Sequence, residues 1–443
     1  MQKIAVIGTG YVGLVGGAGL ADFGNEVVCV DRDAAKIKTL ERGEVPFYEP
    51  GLAEVVSRNV RDGRLRFTTD FGGAVRERGV IFSAVGTPEG EGGHVDLTQV
   101  DDVAAEIGRH MTGYRLIVQK STVPVGTARR IRRIIRENQR EQHEFDVVSN
   151  PEFLREGSAV DDFMRPNRVV VGADTERAFA TMRAIYEPLY LLKTPMVETT
   201  PESAELVKYA SNAFLATKIS FVNEVANLCE AVGADVQTVA YAMGLDGRIG
   251  TKFLHAGAGF GGSCFPKDTK ALARIAEGAG LETKIVKATI EVNEAQKLLM
   301  AEKVVRAVGE IGGATVAVLG LSFKPKTDDM RYAPSIVLVE ELTRRGATVR
   351  AFDPVAMENA RAVMPSITYC RDAYEAADGA DVVVLMTEWN EFRSLEIGRL
   401  AERMAGRVVV DCRNIYDPED FEEHGFTYVG VGRGTPVVDG ADR

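Results

Sequence analysis

The stretch of the 443-residue chain most suited to chemistry is Gly257-Ala258-Gly259-Phe260-Gly261-Gly262-Ser263-Cys264-Phe265-Pro266-Lys267-Asp268. A glycine-dense loop delivers one thiol, and Pro266 suits the first turn of a helix continuing through Thr269, Lys270, Ala271 and Leu272. Cys264 would then stand beside free helix N–H groups and near Lys267, and both favour the thiolate, the nucleophilic form of cysteine. A small buried apolar role accounts for Cys29 on a strand and Cys229 on a helix, but not for the glycines around Cys264. Asp268 falls in the first turn, where a carboxylate also suits the helix dipole. Lys208 and Asn212, four residues apart in a helical pattern, share a face. They offer the charge and the fixed donor that an oxyanion needs, with a solvated surface pair as the alternative. Two loops after strands, Lys120-Ser121-Thr122-Val123-Pro124 and Asn150-Pro151-Glu152-Phe153-Leu154-Arg155-Glu156, add further polar groups.

Gly8-Thr9-Gly10-Tyr11-Val12-Gly13 fits G-x-G-x-x-G, directly after a strand and opening a helix, with Asp31 about 20 residues on at the end of the next strand. Such glycines let a backbone approach a pyrophosphate, which the helix N-terminus stabilises. Asp31 suits ribose hydroxyls and repels a 2′-phosphate, favouring NAD over NADP, although Arg32 beside it leaves NADP open.

The elements that carry these residues follow from periodicity. The runs KIAVIG, EVVCVD, GVIFSAV, RLIVQKST, FDVVSN and RVVVGA alternate with helical patterns up to about Val171, which predicts a parallel sheet covered on both faces. From Glu202 to Val232 neither Gly nor Pro occurs, and Val207, Ala210, Phe214, Thr217, Phe221, Val225, Leu228 and Val232 recur at helical spacing. A helix of about 30 residues spans roughly 45 Å, enough to bridge two domains and to offer a dimer interface. TVAVLGL, ATVRAFDP, ADVVVLM and RVVVDCRN then predict a second doubly wound sheet. The fold class is therefore α/β, with two doubly wound Rossmann-like domains joined by a long central helix. Asp31 and Asp353 close the second strand of each sheet in the same way. The second sheet lacks the glycine triplet and has a cationic loop instead, with Lys324, Lys326 and Arg331. That loop suits a second nucleotide's diphosphate, unless Asp328 and Asp329 merely balance it, and Arg413 adds a cation at another strand end.

Composition sets the bounds. Hydrophobic residues at 45% and charged residues at 26% describe a folded globular chain long enough for roughly two to three domains. With 53 basic against 64 acidic residues the net charge is −11, so a nucleic-acid partner is not expected. No apolar run approaches the roughly 20 residues of a membrane span, and Met1-Gln2-Lys3 leads straight into the first strand, so no membrane partner and a cytoplasmic location are expected. Five scattered cysteines and five histidines show neither a disulfide framework nor a metal motif.

Over nearly the whole chain, through GTGYVG, KSTVPVG, SNPEFLREG, ELVKYASNAFLATKISFVNE, GRIGTKFLHAGAGFGGSCFPKD, GLSFKPKTDDMRYAPS and VVDCRN, the sequence resembles the UDP-glucose/GDP-mannose dehydrogenase family. The resemblance implies a four-electron, NAD-dependent oxidation of a sugar nucleotide at C6 through a cysteine-bound intermediate. It also implies an NAD-binding domain over 1–200, a central dimerisation region carrying catalytic residues over 201–310 and a nucleotide-sugar domain over 311–443. Cys264 matches the nucleophile, Lys208 and Asn212 the oxyanion stabilisers, Asp268 the residue that helps Lys208 and a bound water with proton transfer, and Glu152 and Thr122 the pair that orients water. Gly8, Gly10, Tyr11, Val12, Gly13, Asp31, Lys36, Thr87, Thr122, Glu156, Lys267 and Arg331 fall where the family contacts NAD. Glu152, Phe153, Leu154, Lys208, Asn212, Phe253, Leu254, His255, Ala256, Gly257, Gly261, Phe323, Lys324 and Arg413 match the substrate site. Arg248 matches an arginine that reaches the neighbouring subunit's site, which implies a homodimer or larger homo-oligomer. FLHAGAGFGGSCFPKD looks like the branch that takes UDP-glucose; the GDP-mannose and N-acetylhexosamine branches are the alternatives. A two-electron hydroxy-acid dehydrogenase and a non-enzymatic NAD sensor would each leave part of the constellation unexplained.

Overall fold

The computed structural model describes residues 1–433; residues 434–443, the end of the expected nucleotide-sugar domain, lie outside the described residues. The chain divides into two units, Met1–Ser211 with Glu277–Ala279 and Asn212–Ala276 with Gly280–Arg443. The first holds β1 (Lys3–Ile7), β2 (Glu26–Val30), β3 (Leu65–Thr68), β4 (Val80–Ser83), β5 (Arg115–Gln119), β6 (Phe145–Ser149), β7 (Val169–Gly172) and β8 (Met196–Thr199). They form one sheet in the order β3-β2-β1-β4-β5-β6-β7-β8. Along β1, Ile4 and Val6 enter one apolar core and Ala5 and Ile7 another, because alternate residues point to opposite, helix-covered faces.

The second unit repeats this plan with β9 (Thr315–Leu319), β10 (Thr348–Phe352), β11 (Thr368–Tyr369), β12 (Val382–Leu385), β13 (Val408–Asp411) and β14 (Thr427–Val429). Its order is β11-β10-β9-β12-β13-β14, all parallel. Val316 and Val318 serve one core and Ala317 and Leu319 the other. In both sheets the strand order reverses beside the first strand, between β1 and β4 and between β9 and β12. The crevice at the C-terminal ends of such strands is where doubly wound folds bind ligands. The expectation of two Rossmann-like sheets and a long helix is borne out, with one correction: β6 and β7 pair antiparallel, meeting only at Ser149 and Gly172. The strands outside the predicted runs, β3, β8, β11 and β14, are the edge strands of the two sheets, where one side meets solvent and the apolar pattern lapses; β8 has no buried residue.

The long helix runs from Pro201 to Val232. Its buried face mixes small and polar residues, among them Ala204, Glu205, Lys208, Asn212, Ala213, Ala216, Ser220, Asn223 and Ala226, with two larger apolar ones, Tyr209 and Val222. The bulky members of the apolar stripe point the other way: Phe214 is 67% exposed, Phe221 50% and Leu228 59%. Among the described residues no helix is long and apolar enough to cross a membrane.

Glu205 shows what the buried polar face is for. Its carboxylate accepts from Gly126 N–H (2.6 Å), Ala128 N–H (2.9 Å) and the Ser149 hydroxyl (3.0 Å), so it caps the helix Thr127–Asn138 and grips the end of β6. Burial pushes its pKa up and these donors pull it down. In a Glu205→Ala variant three donors, two of them buried, lose their acceptor, and urea unfolding should show a loss of roughly 3 kcal/mol; a loss below about 0.5 kcal/mol would mean that water replaces the carboxylate there.

Candidate functional site

In the first unit the loop after β1 is shaped by its glycines. A Cβ at Gly13 would run into the Gly8 carbonyl oxygen, so the helix Tyr11–Asp22 can begin this close to the strand only with glycine there. At Gly10 a Cβ would meet nothing within 4 Å, and the helix has neither a side-chain cap nor an acid in its first turn. Open space over uncapped N–H groups fits a pyrophosphate, as the NAD reading requires. Asp31 closes the pattern. It accepts from Thr9 N–H (3.0 Å), the Thr9 hydroxyl (2.6 Å), Asp33 N–H (3.1 Å) and Lys36 Nζ (3.2 Å). Burial opposes its charge, but the Thr9 and Asp33 hydrogen bonds and the Lys36 cation outweigh it and hold the pKa at about 2.

The loops after β4, β5 and β6 interlock. The Thr87 hydroxyl donates to the Thr122 carbonyl (3.0 Å) and the Ser121 hydroxyl to Val85 O (2.7 Å). Lys208 Nζ lies 2.9 Å from Glu152 Oε1, with the two side chains 3% and 6% exposed. The other Glu152 oxygen accepts from Leu154 N–H at 2.6 Å. The Phe153 ring lies under the Arg168 guanidinium (3.7 Å) and 5.6 Å from Lys208 Nζ. Glu49, which the sequence reading passed over, joins the two loops: the Tyr11 hydroxyl, Gly157 N–H (2.6 Å) and Ala159 N–H (2.7 Å) all donate to it. Burial, the Glu49 hydrogen bond and charge, and nearby Glu156 raise the Tyr11 pKa.

In the second unit Cys264 directly precedes the helix Phe265–Gly278, with Pro266 in its first turn as expected. Its thiol is partly exposed and lies 3.7 Å from the Ser263 hydroxyl. Asp268 is almost fully buried and holds two partners, Asn212 Nδ2 at 2.6 Å and Lys267 Nζ at 2.7 Å. The amide, the carboxylate and the ammonium thus form one chain of charge-assisted bonds at the start of the helix that follows the thiol. The loop glycines are dictated by close packing. A Cβ at Gly261 would lie 2.5 Å from Tyr332 O, and one at Gly262 2.7 Å from the Phe323 ring.

The other candidates sort by surroundings. Leu254, Ala256 and Gly257 are buried and His255 is exposed, while Phe253 adopts a left-handed φ of 64°. Arg413 reaches across strand ends, donating to Met386 O (2.7 Å) and Phe323 O (3.2 Å), with Glu388 at 3.3 Å. Lys324 Nζ sits 5.5 Å from the Phe323 ring. Arg331 lies against Asp329, one of the two acids of the loop, through two N–H groups. Arg248 is 91% exposed and paired with Asp246. Among the described residues no group of three potential ligands could hold a metal ion.

Comparison with known proteins agrees with this geometry. The family model of the UDP-glucose/GDP-mannose dehydrogenase NAD binding domain matches residues 2–190, that of the central domain residues 202–295 and that of the UDP binding domain residues 317–418. The chain belongs to the UDP-glucose/GDP-mannose dehydrogenase family, an NAD-dependent oxidoreductase family. A UDP-glucose 6-dehydrogenase of Rhizobium meliloti is 52% identical over 98% of this chain and 100% of its own length. The structure of a UDP-glucose dehydrogenase from Pyrobaculum islandicum superposes with a TM-score of 0.91 at 40% identity, covering 98% of each chain. That of a UDP-D-ManNAc dehydrogenase from Pyrococcus horikoshii gives 0.85 at 26% identity, over 97% of this chain and 99% of the other.

Lys120 is a second buried cation that sequence reading did not assign. It donates to Asn150 Oδ1 (3.1 Å) and to the Tyr186 hydroxyl (3.4 Å), and the Tyr186 hydroxyl also donates to Asn150 Oδ1 (2.7 Å). Burial lowers its pKa to about 8, with Glu152 opposing the fall and Lys208 adding to it. A lysine whose folded pKa lies below the unfolded value of about 10.4 penalises the fold at neutral pH, and the penalty lifts as pH rises from about 8 to about 10.4. The melting temperature of Lys120→Met relative to the parent should therefore be more favourable at pH 7 than at pH 10. A difference that does not change with pH would show that Lys120 titrates normally.

Proposed function

We propose that the chain oxidises UDP-glucose to UDP-glucuronate in two successive two-electron steps at C6, with a covalent cysteine intermediate. The observation that carries this reading is Cys264, placed at a helix start by a glycine loop and followed by the Asn212–Asp268–Lys267 chain. Full-length similarity to UDP-glucose 6-dehydrogenases supports the choice of sugar, against lower identity to the N-acetylmannosamine enzyme. Gly8, Gly10 and Gly13 would hold the pyrophosphate of NAD and Asp31 its ribose, and the cofactor would supply the hydride acceptor for each oxidation. We assign residues 1–200 to that cofactor, 201–310 to dimerisation and catalysis, and 311–443 to the nucleotide sugar.

The chain's own residues then divide the work. As the C6 alcohol becomes an aldehyde its hydroxyl proton is released to water with the help of Lys208 and Asp268, and Lys208 and Asn212 stabilise the developing oxyanion. The Cys264 thiolate adds to the aldehyde carbon, forming a C–S bond, and the resulting thiohemiacetal is oxidised to a thioester. Glu152, oriented with Thr122, takes a proton from water as its oxygen attacks the thioester carbon. The C–S bond breaks, the thiol is regenerated and the carboxylate leaves. Asn212 and Asp268 hold each other at 2.6 Å, which fixes the amide donor before any substrate arrives.

A second copy of the chain belongs to the same reading. Phe214, Phe221 and Leu228 recur every seven residues on an exposed helix face, an apolar seam that a copy of itself would cover. Arg248 projects into solvent on its own chain, as a residue serving a neighbour would.

NADH formed per UDP-glucose consumed, with NAD in excess, should be close to two for the parent. Cys264→Ser should accumulate a stalled intermediate and turn over at least about 1000-fold more slowly. A ratio near one would reduce the reaction to an alcohol dehydrogenation, and no turnover would shift the test to GDP-mannose and N-acetylated sugars. For the seam, light scattering should show the parent at twice the chain mass or more and Phe221→Asp/Leu228→Asp at the monomer mass. An unchanged mass would place the contact elsewhere.

A further inference from the structure

Among the described residues the glycine loop that leads to Cys264 pairs with no strand, yet its backbone is held at two points by side chains. At Phe260, Asn293 presents both halves of its amide: Oδ1 accepts from Phe260 N–H at 2.7 Å and Nδ2 donates to Phe260 O at 3.1 Å. At Gly257, Asn223 Oδ1 accepts from the N–H at 2.9 Å while Gln296 Nε2 donates to the carbonyl at 2.9 Å. Gln296 is itself oriented by Asn227, whose Nδ2 donates to its Oε1 at 3.1 Å. Each of the two loop residues therefore meets one donor and one acceptor, as it would beside a β-strand.

The amides come from the second-unit part of the long helix and from the helix Lys284–Val308, and Asn223, Asn293 and Gln296 are almost fully buried. Apolar residues of similar size would fill these positions without needing partners, whereas a buried amide is costly unless it is satisfied. Asn223 Nδ2 has no partner among the described residues, so its side chain is oriented through Gly257 alone. The loop is made to fit: Gly259 has a φ of 94°, and a Cβ there would lie 2.8 Å from Asn293 Oδ1. Beyond the clamp, Gly262 N–H donates to Arg331 O at 2.8 Å, two residues before the thiol.

We propose that Asn223, Asn293 and Gln296 are positioning residues, an amide clamp that fixes the loop backbone and thereby sets where the Cys264 thiol is presented. The proposal rests on Cys264 being the nucleophile. None of the three needs to touch substrate. Their effect passes through the loop, and a displacement of about 1 Å at a reacting group costs on the order of 100-fold in rate.

The test uses the full chain carrying Asn293→Leu, which keeps the branched shape and removes both hydrogen bonds to Phe260, and Asn293→Asp, which keeps the acceptor for Phe260 N–H. The readouts are kcat, KM for UDP-glucose, Kd for NAD and the rate at which iodoacetamide alkylates Cys264 in the absence of substrate. Asn293→Leu should lower kcat about tenfold or more and change the alkylation rate about fivefold or more, with KM and the NAD Kd within about twofold of the parent. Asn293→Asp should fall between the two. A folded Asn293→Leu with parental kcat would overturn the clamp, whatever its alkylation rate. So would a kcat loss accompanied by an unchanged alkylation rate. If Asn293→Leu does not fold, Gln296→Met carries the same comparison at Gly257. A parent protein without turnover on any sugar nucleotide would sink the proposed function instead, and the alkylation ratio alone would then decide whether the clamp sets the thiol.

Discussion

The structure depends on one constraint: the long helix buries polar side chains. Glu205, Lys208, Asn212 and Asn223 all lie on its inward face, and each is costly to bury without a partner. Glu205 and Lys208 find theirs in the first unit, at the helix Thr127–Asn138 and at Glu152; Asn212 and Asn223 find theirs in the second, at Asp268 and Gly257. A slip of one residue would turn each group by about 100° and move it about 1.5 Å, which breaks every pair at once. Removing one partner of a buried ion pair typically costs about 3–5 kcal/mol, several times the stabilisation of a surface pair. Each part of the helix is thus held in register with its own unit by interactions that tolerate no neighbouring alternative.

The two sheets show how one frame carries different chemistry. Gly8 and Gly320 follow β1 and β9 with nearly the same left-handed φ, and Asp31 and Asp353 follow β2 and β10. Asp31 stays partly exposed beside open space at Gly10, so it can meet a ligand. Asp353 is fully buried and accepts from Leu321 N–H, Ser322 N–H, the Ser322 hydroxyl, Trp389 Nε1, Val355 N–H and Ala356 N–H. With its oxygens saturated, Asp353 ties loops together and has no capacity left for a ribose. The longer insertion after β9 supplies Phe323, Lys324 and Arg331 in place of a bare glycine turn. Local sequence similarity therefore marks equivalent backbone positions while the side-chain environment decides function.

The same distinction explains what could be read in advance. Central strands such as KIAVIG and TVAVLG are legible because both faces are buried and the residues are apolar throughout. Edge strands β3 and β8 are not, since one side meets solvent and their sequences, LRFT and MVET, carry charges. Cys264 and the Gly8–Gly13 loop stand out by type and spacing. Glu49, Glu205, Asn293 and Gln296 do not, because a polar residue on a helix or loop reads as a solvated one until the fold shows which face is inside. Lys208 and Asn212 were visible as a pair, but nothing local reveals that Glu152 and Asp268 are their partners, since those contacts join residues more than fifty positions apart.

The long helix also reverses the usual relation between pattern and burial. Its most regular apolar series, Phe214, Phe221 and Leu228, is outside, and its mixed polar face is inside. An amphipathic helix packed by hydrophobicity alone would turn the other way, since fully burying a Phe or Leu gains about 1.5–3 kcal/mol. Three such residues, several kcal/mol in all, are outweighed because turning the helix would expose Tyr209 and Val222 and would part Glu205, Lys208, Asn212 and Asn223 from their partners together. The polar face therefore decides the orientation, and the apolar face is what remains. That unburied hydrophobic surface is the seam which the proposed second copy would cover, so the demand for buried polar partners and the proposed pairing are two sides of one helix.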